Sequence, residues 1–224
     1  MKLETPIRHV IFDLDGVLLD TEPLYTEVTH RITSRYGKTY DWSIKSNMLG
    51  RPAMDSAEYL IETLGLPLAP EAYLAEREPM LEELLATAGA IPGAEAFTRE
   101  LHRRGVPMAI ATSTDARLFG VKKTPHREWL SIFTAVVCGD DPRVKQGKPA
   151  PDIFLAAAEE LCAEPRSCLV VEDSPYGVAA AVAAGMRVIG LPDARMDRGR
   201  FIDATFVVGS YEEMRLLDLG LLEV

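Results

Sequence analysis

Little in this chain of 224 residues could staple it together. Its three cysteines, Cys138, Cys162 and Cys168, are scattered and lack CxxC spacing. That argues against a disulfide framework and for free thiols in a reducing compartment. Histidine is as sparse: His9, His30, His102 and His126 form no metal-binding cluster. No apolar run reaches the about 18 to 20 residues needed to cross a bilayer. Residues 1–6 lead straight into a strand without the apolar region of a signal peptide. A cytoplasmic location with no membrane partner is expected. Positive charge is short as well, 24 Lys and Arg against 34 Asp and Glu, for a net charge of -10. A polyanion-coating surface is therefore not expected, and nucleic acid is not an expected partner. Repeats and low-complexity tracts are lacking. What remains is 47% hydrophobic and 26% charged, the composition of an ordinary globular chain of one or two domains.

The most informative stretch is His9-Val10-Ile11-Phe12-Asp13-Leu14-Asp15-Gly16, an apolar run that ends in two carboxylates and a glycine. Asp and Gly are poor strand residues, and ligands of open parallel sheets bind at the carboxyl ends of strands. The pleat points Asp13 and Asp15 the same way, roughly 6.5 to 7 Å apart, with Leu14 pointing away. Two carboxylates this close raise one pKa or call for a cation.

Residues 20–87 carry helical spacing, as in Ala57, Leu60, Ile61 and Leu64, broken at Gly37, Gly50-Arg51-Pro52 and Gly65-Leu66-Pro67. From Gly89 onward, short apolar runs (106–111, 135–138, 168–171, 187–191, 205–208) alternate with helical segments (93–104, 151–162, 174–184, 210–218). Such alternation predicts an α/β fold built on a doubly wound parallel sheet. The core would span 1–18 and 88–224, interrupted at 19–87 by a helical insertion that leaves just past Asp15 and suits a lid.

Two more strand ends and one loop carry polar groups. Thr112-Ser113-Thr114-Asp115 offers hydroxyls that can donate to a phosphate oxygen, or that can simply start the next helix. Lys148 sits in a Gly/Pro loop, Gln146-Gly147-Lys148-Pro149, that restricts where it points, whereas Lys145 reads as a solvated charge. Glu172-Asp173 closes another apolar strand; adjacent side chains diverge, so one acid is expected on a metal and the other supporting it. Carboxylates without His or thiolate indicate a hard ion, Mg²⁺. A lysine and a hydroxyl facing it would clamp a phosphate.

The ordered set Asp13-Leu14-Asp15-Gly16, Thr112, Lys148 and Glu172-Asp173 resembles the four motifs of the haloacid dehalogenase superfamily, with a helical cap after the first strand. The resemblance implies a Rossmann-like core and a phosphatase forming an aspartyl-phosphate. Asp13 would be the nucleophile and Asp15 the general acid/base, and Asp at position 15 favours phosphoryl transfer over dehalogenation. Thr112 would bind the transferring group, and Lys148 would hold phosphate and nucleophile. Mg²⁺ would sit on Asp13, Asp173 and the carbonyl of Asp15, with Glu172 adjacent. Residues 35–43 and 123–129, and the run Gly139-Asp140-Asp141-Pro142-Arg143-Val144-Lys145-Gln146-Gly147-Lys148-Pro149, are similar to the pseudouridine-5'-phosphatase-like group. A small phosphate ester is the expected partner, pseudouridine 5'-phosphate or a related nucleotide or sugar phosphate, and the chain is expected to be a monomer. Gly16, Ser113, Tyr25, Asn47, Met48 and Arg51 are further candidates for facing the substrate; Trp42 and Trp129 read as packing residues. A β-phosphoglucomutase-type mutase is the alternative, although it has a His shortly after the Asp-Thr pair where this chain has Tyr25. A phosphometabolite-binding protein without catalysis is the more distant one.

Overall fold

The computed structural model describes residues 6–49 and 51–215. The first strand, β1 (His9–Phe12), lies in the middle of a six-stranded sheet and is followed by a two-residue strand β2 (Leu19–Asp20). Four helices come next: α1 (Glu22–Ser34), α2 (Trp42–Met48), α3 (Ala53–Leu64) and α4 (Pro70–Leu85). The short β3 (Gly89–Ala90) then pairs antiparallel with β2, Leu19 opposite Ala90 and Asp20 opposite Gly89. Beyond it the chain alternates: α5 (Ala94–Arg103), β4 (Met108–Thr112), α6 (Ala116–Lys123), α7 (Arg127–Leu130), β5 (Ala135–Cys138), α8 (Asp152–Glu160), β6 (Cys168–Glu172), α9 (Pro175–Ala183), β7 (Arg187–Gly190), β8 (Phe206–Val207) and α10 (Tyr211–Arg215). The helix expected over 210–218 is thus seen as far as Arg215; its last three residues, like 1–5, lie outside the described residues.

The large sheet runs β5-β4-β1-β6-β7-β8, every pair parallel. This is the α/β doubly wound architecture expected from the sequence. The strand order reverses direction between β1 and β6, and that switch point opens a crevice at the carboxyl ends of the two strands. Both faces are covered, which is why the strands are apolar throughout rather than alternating. Val10 and Phe12 of β1 enter one core with Phe97 and Leu101 of α5. Ile11 enters the other with Phe154 of α8 and Val178 of α9. The four inserted helices carry a third cluster of their own, around Val28, Ile32, Leu60, Tyr73 and Leu85. Trp129 packs as expected, buried with its indole donating to Thr98 Oγ1 at 2.7 Å, and Trp42 packs at the edge of the second core. No helix among the described residues is long and apolar enough to cross a membrane.

Candidate active site

Asp13 extends the ladder of β1 by one bond, its amide donating to Val171 O at 3.0 Å, and so stands at the switch point. Lys148 is buried and donates to Asp13 Oδ1 at 2.5 Å and to Glu172 Oε1. The other oxygen of Glu172 accepts from the amide and hydroxyl of Ser174, at 2.9 and 3.0 Å. Ser174 in turn caps α9, its Oγ accepting from Gly177 N at 3.0 Å. Both oxygens of Glu172 are therefore occupied by protein donors, which suits the supporting role expected for one of the two acids. Among the described residues, no hydrogen-bond or ion-pair donor reaches the Asp173 carboxylate. It lies against Gly16, where φ is +75° and any Cβ would collide with it; Gly16 therefore both makes the turn and makes room for the acid.

Ligand atoms of Asp13, Glu172 and Asp173 fall within 4.8 Å of one another. With one lysine among three carboxylates, two negative charges are left over. Burial, only partly offset by Lys148 and reinforced by Glu172 and Asp15, pushes Asp13 up to about 7. Burial, then the charges of Glu172 and Asp13, hold Asp173 well above the usual carboxylate range. A divalent cation would remove that excess. The donors are all oxygens, as Mg²⁺ prefers, so charge and chemistry both fit it.

Asp15 has a separate environment. Its Oδ1 accepts from Thr21 Oγ1 at 2.6 Å and from Lys122 Nζ at 2.6 Å. Oδ2 accepts from Thr114 Oγ1 at 2.9 Å and from the same ammonium at 2.8 Å. Thr21 is the N-cap of α1 but makes no capping bond; its hydroxyl goes to Asp15 instead. Burial alone would raise the Asp15 carboxyl, but Lys122 and the two hydroxyls hold it below the usual value.

The crevice opens into a cavity of about 570 Å³ between the strand ends and α1–α4, a size suited to a small ligand. Asp13, Asp15, Tyr25, Met48, Arg51, Ser113, Lys148, Glu172 and Asp173 line it, as the sequence led us to expect. Thr112 is fully buried, its hydroxyl accepting from Thr114 N at 3.1 Å, so the wall there is made by Ser113 and Thr114. Asn47 stands apart: it is exposed, and its amide donates back to Ser43 O at 2.8 Å. The phase of α2 turns Lys45, Met48 and Leu49 to the cavity instead. Asp115 does what an N-cap residue does, accepting from Leu118 N at 2.8 Å. Lys145 is exposed, as expected.

Four functional groups went unread in the sequence. Lys122 is fully buried; Lys45 is buried and pairs with Glu22 at 2.9 Å; Thr21 and Arg77 complete the set. Lys45 follows Ile44, and Lys122 comes three residues after Phe119, all four buried. A lysine that falls in phase with a helix's apolar face was the available signal.

Comparison with known proteins agrees with this geometry. Residues 7–185 match the haloacid dehalogenase-like hydrolase family. The (DL)-glycerol-3-phosphatase 1, mitochondrial, of Arabidopsis thaliana is 47% identical over 220 residues, covering 96% of this chain and 74% of the relative. A probable pseudouridine-5'-phosphatase of Drosophila melanogaster is 42% identical over 223 residues, covering 98% and 96%. A putative β-phosphoglucomutase from Thermotoga maritima superposes with a TM-score of 0.73 at 29% identity, covering 94% of this chain and 100% of that one. The chain belongs to the haloacid dehalogenase-like hydrolases and is a phosphatase of that family.

Proposed function

We propose that the protein hydrolyses a small phosphate monoester in two displacements, with Asp13 as nucleophile and Asp15 as general acid and then base. One observation carries this reading: two carboxylates two residues apart share one cavity, yet each meets a different lysine. An oxygen of Asp13 attacks phosphorus, the bond to the leaving oxygen breaks, and that oxygen takes a proton that Asp15 gains once the phosphate's negative charge enters the cavity and offsets the pull of Lys122. Asp15 then takes a proton from water, whose oxygen attacks phosphorus and frees Asp13. Asp13, Asp173 and the carbonyl of Asp15 would hold Mg²⁺, with Glu172 bracing the group through Lys148 and Ser174. When bound, the ion offsets charge on the phosphoryl oxygens. Lys148, Ser113 and the loop that starts at Thr112 would hold the same group, and Gly16 keeps Asp173 close to it.

The inserted helices would act as a cap that closes over the cavity and excludes water. Their wall suits an oxygen-rich leaving group. The Nε atoms of Arg51 and Arg77 are buried and find no hydrogen-bond partner among the described residues. Their guanidiniums lie over Tyr59 at 4.9 Å and over Tyr73 at 5.8 Å. With the Lys45–Glu22 pair on the same wall, donors and an acceptor for hydroxyls converge there. The relatives named for glycerol-3-phosphate and pseudouridine-5'-phosphate support polyol and nucleoside esters as the class. Free cysteines support a reducing, cytoplasmic setting.

The test is phosphate release from pseudouridine 5'-phosphate, glycerol 3-phosphate and glucose 1-phosphate, with and without exhaustive chelation. Release that depends on Mg²⁺ and favours one of the first two is expected. Conversion of glucose 1-phosphate to an isomer without phosphate release would instead establish a mutase.

A further inference from the structure

A fully buried lysine is rare unless something compensates its charge, and Lys122 occupies such a place at the end of α6. Asp13 and its metal-ligand partners make no use of it. Its Nζ donates to both oxygens of Asp15, at 2.6 and 2.8 Å, and to Thr114 Oγ1 at 2.7 Å. It also lies 3.2 Å from the hydroxyl of Tyr25, on α1. Thr21, where the chain leaves for the inserted helices, adds the last bond to the carboxylate.

The plane of the Asp15 carboxyl is thus set from three elements: the start of α1, the loop after β4 and the end of α6. A turn of that plane breaks two ammonium bonds and two hydroxyl bonds together. Among the described residues, only Lys122 donates to both oxygens.

We propose that Lys122 is a positioning residue for Asp15, aiming its carboxyl at the leaving-group side of the cavity and tying that aim, through Tyr25, to the helical insertion. The proposal rests on the phosphatase reading and on Asp15 as the acid/base. It makes a specific demand on the two half-reactions. An alkoxide leaving group needs a proton from Asp15, whereas a nitrophenolate leaves without one. Hydrolysis of the phosphorylated Asp13 needs Asp15 as base with either ester.

The experiment is rapid-quench kinetics of Lys122→Met and the milder Lys122→Gln on glycerol 3-phosphate and on 4-nitrophenyl phosphate. General acid–base help contributes about 10²–10⁴-fold, so release of glycerol should fall by about that factor in Lys122→Met. Nitrophenolate should instead appear in a burst of one equivalent per enzyme, within threefold of the wild-type rate, followed by a slowed steady state. Lys122→Gln, which keeps a donor, should show the same pattern with a smaller loss. Equal losses on the two esters in the first turnover, or no loss in either variant, would overturn the positioning role. A wild-type protein that releases phosphate from neither ester would overturn the phosphatase reading itself, and the proposal with it. Asp13→Asn, inactive on both esters while Lys122→Met behaves as wild type, would overturn the proposal and leave the reading standing.

Discussion

Two lysine–carboxylate centres sit two residues apart on the same strand end, and they are built on opposite principles. Around Asp13, three acids crowd about one lysine that pairs with two of them, and the charge does not balance without a cation. Around Asp15, one acid meets one lysine and two hydroxyls, and it does. The same side-chain chemistry therefore does different work. An unbalanced cluster would have its charge offset by the proposed divalent ion. A balanced one holds a single carboxylate still. Burial raises the pKa of the first acid to about 7, while Lys122 holds that of the second below its ordinary value.

The largest way to break this contrast is Asp13→Asn. It removes the proposed nucleophile and leaves Asp15 with its partners, so turnover should fall by about 10⁴-fold or more, as when the attacking group of a covalent mechanism is deleted. Phosphate release measures it, and an unchanged far-UV circular dichroism spectrum shows that the fold survives.

Lys148→Met comes next. It strips the one positive charge from the crowded centre. Losing one partner of a buried pair costs about 3 to 5 kcal/mol, read by urea denaturation at pH 8. At pH 5 the cost should shrink, because carboxylates with raised pKa values take up protons in place of the lysine.

The smallest effect sharpens the comparison along the pH axis. The folded-state pKa of Asp13 lies above its ordinary 3.8, so between about pH 4 and 7 the folded chain binds more protons than the unfolded one. Chelated protein should therefore lose stability as pH rises through that window, by a few degrees in Tm. Mg²⁺ should flatten the slope. Asp15 has the opposite sign: its contribution is present above its ordinary pKa and is lost only as pH falls through the lowered folded value. Scanning calorimetry with and without Mg²⁺ from pH 3.5 to 8 separates the two centres.

The crowded centre was legible in the sequence, and the balanced one largely was not. Asp13, Lys148 and Glu172-Asp173 announce themselves because acids that end apolar strands, and a lysine fixed between glycine and proline, have few other reasons to be there. Lys122 belongs to a Lys-Lys pair in the last turn of a helix, where positive charge favours the helix dipole anyway. Only the packing of α6 shows which lysine turns inward. Thr21 reads as an ordinary helix start, and its diversion to Asp15 is a tertiary event. Asn47 missed the cavity for a related reason: one residue along a helix is a rotation of about 100°, and Met48 takes the inward place. The parallel sheet and the inserted helices were readable from period and alternation. The two-residue strands β2 and β3 were too short to leave a pattern.

That small pair closes the base of the inserted helices. Residues 20 and 89 face each other across it, and directly opposed antiparallel residues have Cα atoms about 4.5 to 5.5 Å apart. To the sheet, everything between them is equivalent to a hairpin turn. A segment whose ends meet so closely can be exchanged, lengthened or redesigned without moving a strand. The choice of leaving group and the machinery that breaks the phosphate ester are then largely separable inheritances: a graft of residues 21–88 from another chain with the same strand pair, with Thr21 and Tyr25 kept, should carry its substrate preference and leave Asp13 and Asp15 where they are.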